Sequence, residues 1–562
     1  MEELTDSQRA RHAIREFKTI TDALALRGFY RLSGKLGREL ESCLKNLSPE
    51  IYGSMNDPRI VELKGLEYVL DRLPRGIEEC NRIILTEEDP FENSEAERIE
   101  PFKRRRTAYR VSTNEICIVI SRGLSEIYDI LTHLTFLYSE AKKIFTRMKT
   151  ETNVQTIEWR SLEKTMEVIE ALDGNRRDQA LWNLSLILGR PYQETRETYD
   201  YLEKVKKEHS SNNGLFSTIY QLGKRIDEEN ASLDDAVVVY LTPSLINIIG
   251  RQKYGIQWAG DIKTQMQRLN LLGRPLHIIS ANLHSVVNLL YGYAAFKAQN
   301  RSDMAETPLY DFCYHIRDMR QAVVNKGKAH GLYELTDHSG THVDCQLIDT
   351  AMLEGLEWHP ELGFDPSELP GEKPVLLVMD YAFGAQAFEI MENILRPFTY
   401  DNTTRYMNVR SISVMGKAGI LAGEKGDIML ATAHVFEGTS DNYIFENELT
   451  RSDFSKDVNV FIGPMVTVLG TSLQNRDVLE RFQSDWKTVG LEMEGGHYQR
   501  AISAAIIKGN IANKVKLRYA YYASDNPLAT GNTLAAGAMG REGVKPTYMI
   551  TKVILEKIFS HE

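Results

Sequence analysis

Apolar residues recur at three- and four-residue spacing through most of the first 230 residues. The stretch Ile116 to Lys143 shows this pattern clearly, and strand-like alternation of apolar and polar residues is scarce. Such spacing places the apolar side chains on one face of a helix. Residues 1–230 are therefore predicted to form an all-helical domain.

The pattern changes near Ala236. Ala236 to Leu241 is a β-branched run of buried-strand length, and Pro275 to Ser280 repeats it after an intervening helical segment. Strand and helix in alternation predict an α/β arrangement. We expect a small central α/β unit within residues 231–370, followed by helices and a linker rich in Gly, Pro, Asp and His.

The last third of the chain alternates strands and helices as a complete α/β domain does. Its strands are apolar on both faces, which is typical of a sheet covered by helices on each side. Residues 371–562 are thus predicted to form a three-layer α/β domain. A glycine turn, Gly416 to Gly419, is expected after one strand. The expected early strands are Val375 to Tyr381, Ser411 to Met415, Ile428 to Ala433 and Val460 to Leu469.

Two acids stand at two predicted strand ends in the stretch Val489 to Asp525. Glu494 ends the first strand, and Gly495 and Gly496 open a helix from His497 to about Ile507. A second strand, Val515 to Ser524, leads directly to Asp525. The carboxyl ends of parallel strands commonly bind ligands, because the loops there can vary without disturbing the core. Glu494 and Asp525 are therefore the first candidates for chemistry.

Composition restricts the classes of partner. The 562 residues carry a formal net charge of −11, which gives no global attraction for nucleic acid or for an anionic membrane. The five cysteines show neither disulfide nor metal-binding spacing. His338, His342 and Asp344 are too irregularly spaced for us to expect a metal ion. An acidic start and the lack of an apolar run of roughly 18 residues predict a cytoplasmic protein without signal peptide or membrane span.

Four short motifs follow one another in the last third of the chain. Their residues are Gly384, Ala385 and Glu389; Gly416, Ala418 and Gly419, with Gly426 and Asp427; Met493, Glu494 and Gly495; and Ser524, Asp525, Pro527 and Leu528. In this order the motifs resemble the nucleoside phosphorylase and nucleosidase superfamily. The resemblance is greatest to AMP nucleosidase, chiefly through the Ser-Asp-x-Pro-Leu segment, and it leaves the first two thirds of the chain unassigned.

The resemblance implies cleavage of an N-glycosidic bond to a purine. Such a bond breaks through an oxocarbenium-like ribosyl cation, so the departing base must be neutralised and the sugar stabilised. Asp525, supported by Ser524, is implied to protonate the base at N7, which requires a pKa raised by burial. Glu494, next to Met493, is implied to accept hydrogen bonds from the ribose 2′- and 3′-hydroxyls. Glu492 is a weaker candidate for that role because it lies two residues deeper.

The attacking group decides between hydrolysis and phosphorolysis. Many phosphorylases of this superfamily place a phosphate-binding arginine two residues before the glycine loop, where this chain has Val414. A phosphorylase would then bind phosphate through Arg410, the nearest arginine upstream, through Lys417 or through a residue of a neighbouring subunit. In nucleosidases a glutamate of the first loop positions water, and Glu389 falls at that place, so hydrolysis is the expected reaction. Lys417 could bind free phosphate or the 5′-phosphate of a nucleotide.

Further substrate contacts are expected around these acids. Phe436 and the Met465 to Ser472 segment, with Thr471 at the strand end, are candidates for base recognition. Gly384, Gly416 and Gly419 are candidates for backbone contacts with the substrate. Residues 530–543, rich in glycine and alanine, are predicted to form a mobile lid, an oligomer contact or an ordered turn.

The sequence thus predicts a purine nucleotide or nucleoside N-ribosyl hydrolase that needs no metal or organic cofactor. Its partner is a small molecule rather than nucleic acid or membrane, and the resemblance implies a homo-oligomer. Two alternatives stay open: a purine nucleoside phosphorylase that uses inorganic phosphate, and a nucleotide-sensing or scaffold protein without turnover. The preferred base and the role of residues 1–370 are not determined by the sequence.

Overall fold

The chain forms two units in a computed structural model. The structure describes residues 4–103, 106–152, 154–172, 174–249, 252–299, 306–365, 371–529 and 539–560. The first unit comprises Met1–Arg251 with Ser472–Val478, and the second comprises Gln252–Thr471 with Leu479–Glu562. Most of the predicted lid, residues 530–538, and the end of the predicted linker, residues 366–370, lie outside the described residues.

The first unit is rich in helices that pack around a buried one. Its helices are α1 (Asp6–Arg27), α2 (Lys35–Leu47), α3 (Leu63–Leu70), α4 (Gly123–Met148), α5 (Ile157–Glu167), α6 (Gly174–Leu188), α7 (Tyr192–His209), α8 (Leu215–Ala231) and α9 (Pro243–Ile248). α1 begins at a capping box that Thr5 and Gln8 form. α4 is buried along most of its length, so it provides the centre of this unit.

A sheet also runs through the first unit, so the prediction of an all-helical domain is wrong. Within the described residues its strand order is β1 (Phe29–Arg31), β6 (Val238–Leu241), β2 (Arg82–Thr86), β5 (Glu115–Val119), β4 (Ala108–Ser112) and β3 (Glu97–Arg98). β6, β2 and β5 are parallel. These strands have only two to five residues, which is too short for their alternation to stand out between long helices.

The small central α/β unit predicted for residues 231–370 is not formed. Its first strand, Ala236 to Leu241, contributes β6 to the sheet of the first unit. Its second strand, β7 (Leu276–Ser280), belongs to the second unit. Both strands exist as predicted, but each pairs with strands far away in the sequence. Local sequence patterns do not indicate such pairing.

The second unit is a mixed α/β structure. Its strands continue with β8 (Leu332–Leu335), β9 (Cys345–Asp349), β10 (Val375–Met379), β11 (Phe398–Tyr400), β12 (Thr403–Arg405), β13 (Val409–Ile420), β14 (Ile428–Phe436), β15 (Asn442–Ile444), β16 (Val460–Thr467), β17 (Gly490–Glu492) and β18 (Lys516–Asp525). Its helices are α10 (Lys253–Arg268), α11 (Leu283–Lys297), α12 (Leu309–Ile316), α13 (Arg320–Ala329), α14 (Gln386–Leu395), α16 (Gly495–Ile507) and α17 (Val544–Phe559). A further helix, α15 (Arg476–Asp485), starts in the Ser472–Val478 segment of the first unit.

Helices cover both faces of the main sheet of the second unit. α10, α14 and α16 contribute to one apolar cluster, and α11, α12, α13 and α17 contribute to the other. Successive residues of β10 alternate between them, since Leu377 lies in the first cluster and Val378 in the second. Cover on both sides explains why these strands are apolar throughout. Among the described residues no helix is long and apolar enough to cross a membrane.

The strands β13, β18, β14, β16 and β17 close into a ring. Each is hydrogen-bonded to the next in this order, and β17 returns to the end of β13. The start of β13 pairs with β7, from which the sheet continues through β10, β9 and β8. The turn predicted at Gly416 to Gly419 is therefore wrong. These residues continue β13, because β18 pairs with their backbone.

Candidate active site

The segment Gly416 to Gly419 runs between the strands that carry the two predicted acids. Gly419 pairs with Asp525 of β18 on one side and with Leu491 of β17 on the other. β18 is parallel to β13, whereas β17 is antiparallel to it, so the chain beyond Leu491 runs back in the direction of Gly416. The two acids approach the same segment because the ring closes, and not because two parallel strands end together.

Asp525 is a buried acid with one free oxygen. Its residue is 3% exposed, and its Oδ1 accepts a hydrogen bond from Ser524 Oγ at 2.5 Å. Its Oδ2 is buried and has no hydrogen-bond partner among the described residues. Burial raises the pKa of the Asp525 carboxyl, although the Ser524 hydrogen bond and the charge of Lys417 oppose this shift. Ser524 therefore fixes the carboxyl while Oδ2 remains available to a ligand.

Glu494 lies where the chain leaves β17 and enters α16. Burial, followed by the negative charge of Glu492, raises the pKa of its carboxyl to about 8, against hydrogen bonds from the backbone N–H groups of Met493 and Gly384. Gly384 has a φ of +56°, a conformation that glycine adopts at little cost. The structure thus brings Glu494, Met493 and the Gly384 loop together.

Glu492 points into the protein and anchors the start of α16. Its carboxylate accepts hydrogen bonds from the backbone N–H groups of Gly495 and Gly496 and from Thr467 Oγ1 at 2.5 Å. His434 Nδ1 lies 3.2 Å from the same carboxylate. Burial opposes ionisation, yet these hydrogen bonds lower the pKa of Glu492. Glu492 is therefore a fixed anion beneath the site and not a substitute for Glu494.

Glu389 stands in the first turn of α14, shortly after the Gly384 loop. It is partly buried, and its carboxyl has no hydrogen bond or ion pair with any described residue. Burial raises the pKa of this carboxyl to about 7. A carboxyl without protein partners and with a pKa near neutrality can accept a proton from water.

Lys417 is the exposed residue of this segment, whereas Gly416, Ala418 and Gly419 are buried. Lys417 is exposed, and its charge acts on Asp525. The ring of Tyr381 lies beside Gly416, since a Cβ at this position would stand 3.5 Å from it, an ordinary contact distance. Tyr381 keeps 41% exposure, and its hydroxyl group interacts with Asn282.

Phe436 and Thr471 follow two neighbouring strands of the ring. Phe436 ends β14, pairs with Thr467 and packs edge-on against His497, with ring centroids 5.0 Å apart. It therefore lies near the start of α16, on the Glu494 side of the site. Thr471 is partly exposed and begins a short turn after β16.

The structure does not bring Arg410 to this site, contrary to prediction. Arg410 lies near the start of β13, nine residues before Gly419. At about 3.3 Å per residue this corresponds to roughly 30 Å along the strand. Its charge acts on His277 of β7, which is also near a strand start. Arg410 is close to Gly416 in sequence, but because β13 is extended, Arg410 lies at the opposite end of this strand from Gly419.

Sequence reasoning did not identify His434 or Tyr381, and it included Thr467 only as part of the candidate segment Met465 to Ser472. His434 and Thr467 are fully buried on separate strands, and only ring closure brings them to Glu492. Tyr381 ends a predicted strand, and this position was the available signal.

Comparison with solved structures gives distant matches over half of the chain. The 5′-methylthioadenosine/S-adenosylhomocysteine nucleosidase of Campylobacter jejuni shows 10% identity and a TM-score of 0.30, covering 51% of this chain and 99% of its own. The native futalosine hydrolase of Helicobacter pylori shows 12% identity and a TM-score of 0.29, and the match covers 50% of this chain and 98% of the hydrolase. The MTA/SAH nucleosidase of Streptococcus pneumoniae in complex with 8-aminoadenine shows 11% identity and a TM-score of 0.28. The match covers 50% of this chain and 99% of that nucleosidase. The resemblance to AMP nucleosidase stays a prediction.

Comparison with protein families gives a match over most of the chain. No curated protein matches. Residues 38–217 and 310–560 match the family described as "Family of unknown function (DUF6909)". Because these two ranges include more than half of the residues, the chain belongs to this family of unknown function.

Proposed function

We propose that the second unit hydrolyses the N-glycosidic bond of a purine nucleoside or nucleotide. The substrate would lie along Gly416 to Gly419, with the base at Asp525 and the ribose at Glu494. Glu389 would position the attacking water. The order of the four motifs supports this assignment, and so does the approach of two acids to one segment of β13.

The environment of Asp525 is the observation that carries the proposal. Ser524 holds Oδ1, whereas the buried Oδ2 has no partner among the described residues. A buried polar atom without a partner costs about 1–3 kcal/mol, and a ligand that pairs with it removes this cost. A protonated carboxyl at Oδ2 donates to N7 of a purine. As the bond between C1′ and N9 breaks, its electron pair moves into the base, N7 takes the proton, and the base leaves neutral.

Glu494 would stabilise the sugar from which the base departs. Its carboxylate accepts hydrogen bonds from two ribose hydroxyls, and those bonds favour the ionised form. The positive charge that develops on the ribose favours it further. Because this attraction is stronger in the transition state than in the bound substrate, it lowers the barrier.

Glu389 would complete the reaction with water. Its carboxyl has a pKa of about 7 because burial disfavours its charge. Water attacks C1′ of the ribosyl cation, and the Glu389 carboxylate takes the proton that the water releases. The products are free base and free sugar, and Asp525 regains its proton from solvent.

Phosphorolysis is the second candidate because Lys417 is exposed beside Asp525 and forms no ion pair with a described residue. A free lysine can hold inorganic phosphate or a 5′-phosphate. Two observations favour hydrolysis. Val414, at the place of a phosphate-binding arginine, is 3% exposed. Arg410 lies at the other end of β13.

The two candidates differ in their sugar product. Purified protein is incubated with AMP, adenosine and inosine, with and without inorganic phosphate, and the sugar is identified by mass spectrometry. The proposal predicts ribose or ribose 5-phosphate at a rate independent of added phosphate. Formation of ribose 1-phosphate from the nucleosides, or of ribose 1,5-bisphosphate from AMP, only when phosphate is present would contradict hydrolysis. No base release from any substrate would contradict both candidates.

A further inference from the structure

Polar side chains from four strands of the ring meet next to Glu494, and the proposed reaction does not use them. His434 comes from β14, Thr467 from β16, Glu492 from β17 and Tyr521 from β18. Their exposed fractions are 0%, 2%, 4% and 3%, so water does not solvate this group. Buried polar side chains are costly unless they are paired, and such a group calls for a reason to be there.

The hydrogen bonds of this group converge on Glu492. An ionised carboxylate can only accept hydrogen bonds, so His434 carries a proton on Nδ1 where it faces Glu492 at 3.2 Å. Thr467 Oγ1 donates at 2.5 Å, and the N–H groups of Gly495 and Gly496 complete the set. The imidazole ring is held in place by Phe445, stacked at 5.4 Å, and by Tyr519, edge-on at 4.9 Å.

Glu492 connects this group to the site in two ways. It fixes the first two residues of α16, which follow Glu494 directly. Its charge also acts on the Glu494 carboxyl. The other groups that face Glu494 are the hydroxyls of Tyr498 and Tyr521 and the backbone N–H groups of Gly384 and Met493. Among the titratable groups described there, Glu492 is the one whose charge disfavours ionisation of Glu494 most strongly.

We propose that His434 is a positioning residue for the reaction at Glu494. By donating to Glu492, His434 keeps a fixed negative charge beside Glu494 and holds the start of α16 in place. This inference rests on the proposed function, because it assigns His434 a part in the same reaction. Without the donor, Glu492 takes up a proton more readily, its repulsion of Glu494 declines, and Glu494 ionises at lower pH.

The test compares pH profiles of matched variants in the full-length protein. His434→Phe keeps an aromatic ring against Phe445 and Tyr519 but loses the donor. His434→Asn retains an amide N–H near the position of Nδ1. Ser413→Ala is the control, since Ser413 is equally buried in β13 and its Oγ has no hydrogen-bond partner among the described residues. The kcat and KM values for a purine nucleoside that the wild type cleaves are measured from about pH 5.5 to about pH 9.

The expected result is a shift of the pH profile of kcat/KM and not merely a loss of activity. In His434→Phe the ascending limb of kcat/KM moves to lower pH by about half a unit or more, because one repulsive charge is removed. His434→Asn and Ser413→Ala keep the limb of the wild type. Thr467→Val, which deletes a second donor to Glu492, moves the limb in the same direction and serves if His434→Phe does not fold.

Two outcomes would overturn the inference, and they differ in what else they affect. If His434→Phe and Thr467→Val lower kcat/KM by the same factor at every pH, His434 only supports the fold, while the proposed function stands. If the wild type releases no base from any purine nucleoside or nucleotide, the proposed function is wrong, and the inference about His434 is then wrong as well.

Discussion

Glu494 shows how a carboxyl suited to catalysis can lower the stability of the fold. Its pKa is about 8 in the folded protein, compared with about 4.3 for an ordinary glutamate. A carboxyl with a raised folded-state pKa stabilises the folded protein only below its unfolded-state pKa. That contribution is lost as the pH rises through the folded-state value. Between these two values, folding becomes steadily less favourable.

We therefore expect Glu494→Gln to stabilise the protein while it abolishes activity. An amide does not ionise, so the variant avoids the cost of a buried charge. The increase in the free energy of unfolding over wild type should be larger at about pH 8.5 than at about pH 5.5. Each 1 kcal/mol of this increase raises Tm by roughly 2–4 °C. Calorimetry at both pH values measures it.

The exposed Glu446 provides a matched control for this prediction. Glu446→Gln removes the same charge from a solvated position of the second unit and should leave Tm within about 1 °C. A Glu494→Gln variant with a lower Tm than wild type at both pH values would show that Glu494 is a structural carboxylate.

Residues that the motifs mark lie close together, and their roles stay predictions. Ser524 donates a hydrogen bond to Asp525, and the backbone N–H of Gly384 donates one to Glu494. His434 was missed because its partner Glu492 is 58 residues away and shares no local pattern with it. Arg410 was misplaced because proximity in sequence along an extended strand means distance in space.

At the scale of elements, the start of α16 depends on the absence of a side chain at Gly496. A Cβ at Gly496 would collide with Thr467 Oγ1 and lie 2.8 Å from the ring of Phe436. The backbone N–H of Gly496 also donates to Glu492. Glycine is thus required here by close packing, and Glu494 depends on the same turn for its position.

Gly496→Ala should destabilise the second unit and reduce activity. The added methyl group must displace Phe436 or the helix, which costs about 1–3 kcal/mol in a packed core. Chemical denaturation and the rate of base release measure the two effects. The matched control is Gly260→Ala within α10, where no atom lies within 4 Å of the new Cβ. It should stabilise the protein by about 0.5–1 kcal/mol. Equal effects of both substitutions would contradict the packing argument.

The elements of the second unit were predictable to the extent that each has its own periodicity. α16 and β18 begin and end within a few residues of their predicted bounds. Gly416 to Gly419 was predicted as a turn because glycines commonly mark turns, but here the segment continues β13, because β18 pairs with its backbone. The short strands of the first unit gave too little alternation to be separated from helices.

At the scale of the whole molecule, the chain leaves the second unit once and returns. Ser472–Val478 belongs to the first unit, where Leu473 and Val478 are 1% and 2% exposed. Asn475 secures this segment, since its Nδ2 donates to the carbonyl oxygen of Leu47 at 2.9 Å. Its Oδ1 accepts from the N–H of Val478 at 3.0 Å. Contiguous ranges predicted from sequence could not include such a returning segment.

Asn475→Ala should destabilise the first unit by about 1–3 kcal/mol, because it leaves buried backbone groups without partners. Asn56→Ala is the control. Asn56 also donates to a carbonyl oxygen, that of Lys45 at 2.9 Å, but it is exposed, so water replaces the lost bond. The denaturation midpoint of the full-length chain distinguishes the two variants. A similar midpoint for both would show that the segment is not held by Asn475.

The most direct test of the account is the release of free purine base in phosphate-free buffer by wild type and by Asp525→Asn. An amide at this position still pairs with Ser524 but cannot transfer a proton to N7. We predict base and free sugar in equal amounts from the wild type, and a fall in kcat of about 10²-fold or more for Asp525→Asn with a Tm no lower than that of the wild type. An Asp525→Asn variant as active as the wild type would contradict this prediction.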